Sequence, residues 1–400
     1  MPADFLLSKI RPQGGALKDV LIKNGKIVSV TDHNSATNHE ALEIVDGCGQ
    51  LMLPSLIDAH THLDKTLLGM PWYRNDVGTE LIELIENERA MKRELGIDPQ
   101  RQSARQIEQA ISYGTTHIRT HVDIDTEYGL SGLEGVVASR EKYRDLIDIQ
   151  IVAFPQSGML IRPGTVELME AAMQNGADIV GGLDPSEVDR DAKGHLDTVF
   201  SMAQRYGKPV DIHLHEPDSL GAYAMEMIIE RTNALGMAGQ VTISHGFCLG
   251  MLADKPLAAL GAKLAKAGIH LMVKGGASSA APPVFDLTAM GVNICSGSDG
   301  IRDTWSPFGN ADMLERAAIV SQRNDFRSDE NIELALKLAT YGGARMMDIA
   351  DYGIQEGCDA SFILLNAETP ADAVASRPVR SAVYRKGALI AKEGKLITPR

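Results

Sequence analysis

The sequence predicts an α/β protein, a closed (β/α)8 barrel with β-hairpins at both ends of the chain. Between about residues 55 and 350, eight short apolar strand candidates alternate with helix-period segments, a series that suits a closed barrel better than an open doubly wound sheet. Polar, chemically capable side chains end most of those strands, which is where such a barrel carries its chemistry. The chain ends, "DVLIKNGKIVSV" (19–30) and "SAVYRKGALIAKEGKLI" (381–397), are β-branched runs around Asn-Gly or Lys-Gly turns, and such dipeptides mark hairpins.

In chain order the strand candidates are "LPSLIDAH", "THIRTHVDI", "IDIQIVAFP", "ADIVGGLDP", "PVDIHLHE", "QVTISHG", "IHLMVKGG" and "VNICSGSD". Helical periodicity appears between them in "ELIELIENERAMKREL", "TVELMEAAMQN", "HLDTVFSMAQRYG" and "PLAALGAKLAKAG". Several of these close on Gly or Asn, as helix C-termini do. No G-x-G-x-x-G or G-x-x-x-x-G-K-[ST] loop follows the first strand, so a dinucleotide or P-loop site has no support.

A chain of 400 residues with 44% hydrophobic content can fill one large α/β domain and a smaller appendage. The formal charge of −14, with Lys and Arg scattered, disfavours nucleic acid and anionic membranes and favours a small-molecule partner. No apolar run reaches membrane-span length and "MPADFLLSKIRPQ" lacks the pattern of a signal peptide, which gives a cytoplasmic expectation. Cys48, Cys248, Cys295 and Cys358 are far apart without a C-x-x-C pair, and each reads as a small buried hydrophobe.

The strand ends gather His60 and His62, then His121 and Asp123, Gln156, the trio His213, His215 and Glu216, then His245, Lys274 and Asp299. In "DAHTHLDK" (58–65) the two histidines are two residues apart, and on a strand that spacing puts both imidazoles on one face. Such a face can grip a metal. A solvated pair ending the strand fits these two residues taken alone, but not the rim that collects the others. His33, His39, His117 and His195 need no role beyond surface or packing.

The H-x-H of the first strand, the histidines of the fifth and sixth and the Asp of the eighth resemble the amidohydrolase superfamily. Within it, "HTHLDK", "THVDI", "QIVAFPQSG", "HLHE" and "SDGIRDTWSPFGNADML" look like the bacterial cytosine deaminase branch, which also contains N-alkylammelide hydrolases acting on s-triazine rings. The resemblance covers essentially the whole chain. It implies a small β-sandwich built from residues 1–54 and 351–400, a barrel over 55–350, and a homo-oligomer.

Carried over by position, the resemblance implies that His60, His62, His213 and Asp299 bind one divalent metal ion, Zn²⁺ or Fe²⁺. Three neutral imidazoles and a carboxylate leave an open position for water, and a metal lowers the pKa of that water from about 15.7 to roughly 7. The fourth strand, "ADIVGGLDPSE", has no lysine to bridge a second metal. Glu216 is expected to protonate a ring nitrogen and then the departing amine; by itself it also reads as a solvated loop carboxylate. His245 is expected to hydrogen-bond the attacking water or the developing oxygen, or to be a second metal ligand. Asp299 is expected to accept the proton of that water.

Gln156 resembles the family glutamine that reads a ring N–H and carbonyl, since an amide donates and accepts at once; a solvated loop glutamine is its other reading. Trp305 could wall a planar ring or pack beneath the rim. Asp64 and Lys65 resemble the triazine-hydrolase form of the first motif, and "LLGMPWYRNDVG" is a candidate lid. His121 and Asp123 orient the metal ligands or form a structural pair. His215 points away from His213 and Glu216 unless the loop reverses it.

Bacterial cytosine deaminases typically carry H-D-D on the eighth strand, where this chain reads "GSDGI". An acidic side chain is missing at Gly300, which implies a wider, less charged pocket. Lys274 adds a cation suited to a ring with an acidic oxygen, unless it reaches out to solvent. The function expected is hydrolytic deamination of a pyrimidine or related nitrogen heterocycle, cytosine deaminase-like, with release of ammonia. The alternative is release of an alkylamine from an s-triazine. Ring-amide hydrolysis is disfavoured by the missing fourth-strand lysine, and a non-catalytic binding barrel by the presence of the whole ligand set.

Overall fold

Eight strands buried along almost their whole length form the centre of the protein: β1 (Leu56–Thr61), β2 (Thr115–Asp123), β3 (Asp148–Phe154), β4 (Ile179–Leu183), β5 (Val210–Leu214), β6 (Val241–His245), β7 (His270–Val273) and β8 (Asn293–Ser296). The computed structural model describes residues 4–34, 43–276 and 280–397. Neighbouring strands pair in parallel and in sequence order. Both faces are covered, and β3, β4 and β7 read as short apolar runs, whereas β2, TTHIRTHVD, is mostly polar and still almost wholly buried.

The ring closes where Thr61 bridges Asp299 and the Asp299 amide donates to the His60 carbonyl at 2.8 Å. Gly297 permits that closure, because a Cβ there would lie 2.5 Å from the His60 Cβ.

Each expected strand segment overlaps one barrel strand, the first also taking in Leu53 and Pro54 of a separate strand, and four barrel strands stop two or more residues early. β5 ends at Leu214, β7 at Val273 and β8 at Ser296, so Glu216, Lys274 and Asp299 stand on loops. Pro217 follows Glu216 and has no N–H for a ladder, while Gly275 (φ 69°) and Asp299 (φ 62°) are left-handed, a conformation that a strand excludes. The expected helices form over Leu81–Glu94, labelled α1, and over Thr165–Gln174, Ala192–Tyr206 and Asp254–Lys266.

A second, mixed sheet is built from both ends of the chain. Its strands lie in the order Lys395–Leu396, Ala388–Lys392, Arg380–Arg385, Phe362–Leu365, Leu51–Pro54, Phe5–Pro12, Lys18–Lys23, Lys26–Asp32, with Glu43–Asp46 also pairing on Phe5–Pro12. Phe5–Pro12 serves both halves: Phe5 to Ser8 run beside Glu43–Asp46, whereas Arg11 and Pro12 pair with Leu51 and Met52. The sheet therefore folds over itself, and Phe5 meets Tyr384 across the layer with ring centroids 5.4 Å apart. The hairpin turns at Asn24-Gly25, Lys386-Gly387 and Glu393-Gly394 each put two consecutive residues at positive φ, the two-residue geometry that matches strand twist.

Arg380 ties this sheet to the barrel. Only 2% exposed, it pairs with Asp312 and donates to the Tyr113 carbonyl at 2.9 Å. Arg380→Met strands the Asp312 carboxylate and is expected to cost about 3–5 kcal/mol, measured as a lower denaturation midpoint.

His33, His117 and His195 pair with Asp19, Asp148 and Asp189, and His39 lies outside the described residues. Cys48, expected to be buried, is exposed in a turn at φ 52°, while the other three cysteines are buried. Among the described residues, no helix is long and apolar enough to cross a membrane.

Candidate active site

The C-terminal ends of the strands bring the histidines together. His60 and His62 leave β1 side by side with ring centroids 5.3 Å apart, and His213 on β5 stacks on Phe154 at 3.9 Å. His60 lies 4.6 Å from His213 and 5.1 Å from His245. Asp299 Oδ1 completes the group, 3.6 Å from His60 Nε2 and 3.4 Å from His62 Nε2. His245 (φ 75°) and Asp299 (φ 62°) both hold left-handed backbone conformations, strain of about 1–3 kcal/mol each that clusters at functional sites.

These donors fit a divalent cation. His60 Nε2, His62 Nδ1 and both ring nitrogens of His213 and His245 are buried without hydrogen-bond partners, a costly state unless something accepts their lone pairs. Ligand atoms of His60, His62 and His213 lie within 4.8 Å of one another, as do those of His60, His245 and Asp299. Burial pushes the His213 and His245 pKa values well below the usual range and, with Lys65 nearby, that of His62 to about 4, so all three rings are neutral donors. Burial raises the Asp299 carboxyl, but Lys274, His245, His60 and His62 outweigh it and hold the group well below the ordinary range.

Two other groupings are geometrically compact, His60 with His121 and Asp211, and His62 with Asp64 and Asp123. Each already faces a cation of the protein. Arg119 lies 3.0 Å from Asp211, and Lys65 and Lys92 both pair with Asp123.

Glu216 is fully buried with its two oxygens in different surroundings. Oε1 accepts the amides of Ser186 at 2.6 Å and Glu187 at 2.9 Å, while Oε2 has no partner. Burial raises its pKa, only partly offset by those two amides, which favours a carboxyl able to carry a proton. This is not a solvated loop carboxylate. The neighbouring His215 turns back toward the site, stacked on His245 at 4.5 Å, because its Nδ1 lies 2.6 Å from Asp184.

Beside the histidines is a buried charge cluster. Lys65 Nζ donates to Gln156 Oε1 at 2.8 Å and pairs with Asp123 at 3.1 Å and Glu88 at 3.0 Å. Lys92 pairs with Asp123 and with Glu88, and Trp305 Nε1 donates to Glu88. Burial and Asp123 push Glu88 up to about 8, and burial with Asp123 pushes Asp64 to about 6. Lys65 moves up as well, since Asp123 and Glu88 outweigh its burial. Its ammonium is therefore fixed in the charged form.

A family model described as "Amidohydrolase family" matches residues 43–391. The chain belongs to the amidohydrolase family. A solved N-isopropylammelide isopropylaminohydrolase from Burkholderia multivorans is 44% identical, with a TM-score of 0.95 over 99% of this chain and 100% of that one. The N-isopropylammelide isopropyl amidohydrolase of Pseudomonas sp. (strain ADP) is 31% identical over 88% of this chain and 89% of its own. A 5-methylcytosine deaminase from Klebsiella pneumoniae, solved with 5-fluorocytosine, is 28% identical with a TM-score of 0.86 over 99% of both chains.

Within this amidohydrolase frame some residues fall differently from the sequence expectation. Lys274 is half-buried and does not stand free at the rim; its Nζ donates to Asp299 Oδ2 at 2.7 Å. Gly300 does not widen the pocket, because a Cβ there would collide with the Asp303 carboxylate. His121 and Asp123 are no pair: the His121 ring lies against His60, centroids 3.9 Å apart and tilted by 32°, and Asp123 joins the lysines. Gln156 is buried on Lys65 rather than solvated. Trp305 joins the charge cluster through Glu88. The segment 67–78 has neither helix nor strand and is tied to the β8 loop by Leu67 N to Arg302 O at 2.6 Å and Asn75 Nδ2 to Thr304 O at 3.1 Å.

Sequence reasoning missed Glu88, Lys92, Asp211 and Ser244. A signal existed for the first two, since they share the buried face of α1 with Ile85, and charged residues at core positions of a helix need buried partners.

Proposed function

We propose that this amidohydrolase cleaves the exocyclic C–N bond of an oxygenated s-triazine of the N-alkylammelide type and releases an alkylamine. The observation that carries this reading is the buried Lys65 ammonium, bound to Gln156 beside the histidine cluster. With its oxygen held by that ammonium, the Gln156 amide presents only its NH₂, which suits an acidic ring oxygen better than a ring N–H. The relatives at 44% and 31% identity support the same choice over the pyrimidine deaminase at 28%.

His60, His62, His213 and Asp299 would hold one divalent ion. Such an ion supplies Lewis-acid activation of water. Glu216, anchored through Oε1, keeps Oε2 free to pass a proton to a ring nitrogen and then to the leaving amine. His245 is placed to hydrogen-bond the oxygen added to the ring. Gln156 binds the ring edge through its amide NH₂ while Lys65 holds its oxygen, Trp305 limits the space beside it, and Lys274 orients Asp299 through its outer oxygen.

The test is amine release by zinc- or iron-loaded protein from N-isopropylammelide, ammelide, cytosine and 5-methylcytosine. Isopropylamine should appear with kcat/KM at least about tenfold above the pyrimidines, a difference of about 1.4 kcal/mol in transition-state stabilisation. Chelation should abolish it and metal restore it. Preference for cytosine or 5-methylcytosine, with ammonia as product, would replace this reading by pyrimidine deamination.

A further inference from the structure

Beneath the histidine cluster, three side chains from different strands form one chain of hydrogen bonds. Asp211 on β5, Ser244 on β6 and His60 on β1 are all at 0% exposure. Ser244 Oγ lies 2.7 Å from Asp211 Oδ1 and 2.9 Å from His60 Nδ1. The other Asp211 oxygen accepts from Arg119 Nη1 at 3.0 Å.

The direction of these bonds follows from what each group can do. A carboxylate facing a guanidinium only accepts, and a serine hydroxyl has one proton to give. Ser244 gives it to Asp211 and so accepts from His60. Nδ1 is then the nitrogen that carries a proton, which leaves Nε2 to offer a lone pair. That Nε2 is the nitrogen without a hydrogen-bond partner, 3.6 Å from Asp299 Oδ1.

We infer that Asp211 and Ser244 are positioning residues which lock His60 in the tautomer that offers Nε2 to the metal, so that the Arg119–Asp211–Ser244 chain sets metal affinity. The inference rests on the reading of His60 as a ligand. Partners of this kind fix ring orientation and are worth about 10–100-fold in affinity.

The chain also has a polarity that can be reversed. Arg119 only donates, so in Asp211→Asn the new amide must turn its oxygen to Arg119 and its NH₂ to Ser244. Ser244 would then donate to His60 Nδ1 and drive the ring proton onto Nε2, the wrong nitrogen. Asp211→Asn should therefore bind metal more weakly than Ser244→Ala, which only deletes the lock.

The experiment measures zinc dissociation constants by competition with a chromophoric chelator, together with ¹⁵N shifts of His60 in the metal-free protein. The wild type should show a proton on Nδ1. Ser244→Ala should lose about 10–100-fold in zinc affinity, and Asp211→Asn should lose more, with the His60 proton moved to Nε2. Wild-type affinity in Ser244→Ala, tighter binding in Asp211→Asn than in Ser244→Ala, or an Nε2 proton in the wild type would overturn the inference. If Asp211→Asn does not fold, Ser244→Ala and the wild-type spectrum decide. Failure of the wild type to bind any divalent ion would instead sink the ligand assignment itself, and the two failures are thereby distinct.

Discussion

Glu216→Gln is expected to lower kcat by about 10²–10⁴-fold, the usual worth of a positioned proton carrier, while KM, metal content and thermal stability stay close to wild type. The substitution keeps the geometry and reverses the chemistry. The Ser186 and Glu187 amides, 2.6 and 2.9 Å from Oε1, demand an acceptor, so the glutamine oxygen takes that place. Its NH₂ then occupies the unpartnered Oε2 position, where it can donate but cannot shuttle a proton. Steady-state kinetics with metal analysis checks this, and retention of more than about a tenth of wild-type kcat would remove Glu216 from the reaction.

Lys65→Met should have two separable effects. Removing the ammonium leaves Glu88 and Asp123 buried with only Lys92 between them, a loss expected to cost about 3–5 kcal/mol of folding stability. KM for an oxygenated triazine should rise by about tenfold or more, because Gln156 loses the charged hydrogen bond that fixes its amide at the ring edge. Lys65→Met combined with Asp123→Asn removes one charge of each sign, and should recover more than about 1 kcal/mol relative to the sum of the single changes. KM should stay high in the double variant, because the cation is still missing. Recovery of KM together with stability would make Lys65 a structural residue with no part in binding.

The features legible in the sequence are those set by local pattern. Several of the buried strands show as short apolar runs, the hairpins show in Asn-Gly and Lys-Gly, and period two alone puts His60 beside His62. The features that stayed hidden are pairings between distant segments. Lys274 reads as a free rim cation because nothing nearby in sequence reveals that Asp299 Oδ2 lies 2.7 Å away. Likewise, the loss of an acidic residue at Gly300 looks like open space until Asp303, three positions on, is found filling it. Glu88 and Lys92 share the helical spacing of Ile85, which hints at an inward face, but their partners Lys65 and Asp123 lie too far away in sequence to be read from it.

The sheet that joins the two ends of the chain sets an order of events during synthesis. Leu53 pairs with Ile363 and Met52 with Leu364, so Leu51–Pro54 reaches the end of the ribosomal tunnel long before its antiparallel partner has been translated. Until then that strand is an open, apolar edge, the kind of surface that recruits other chains. A ribosome stalled within the barrel leaves the edge uncapped, whereas release of the full chain lets Phe362–Leu365 cover it.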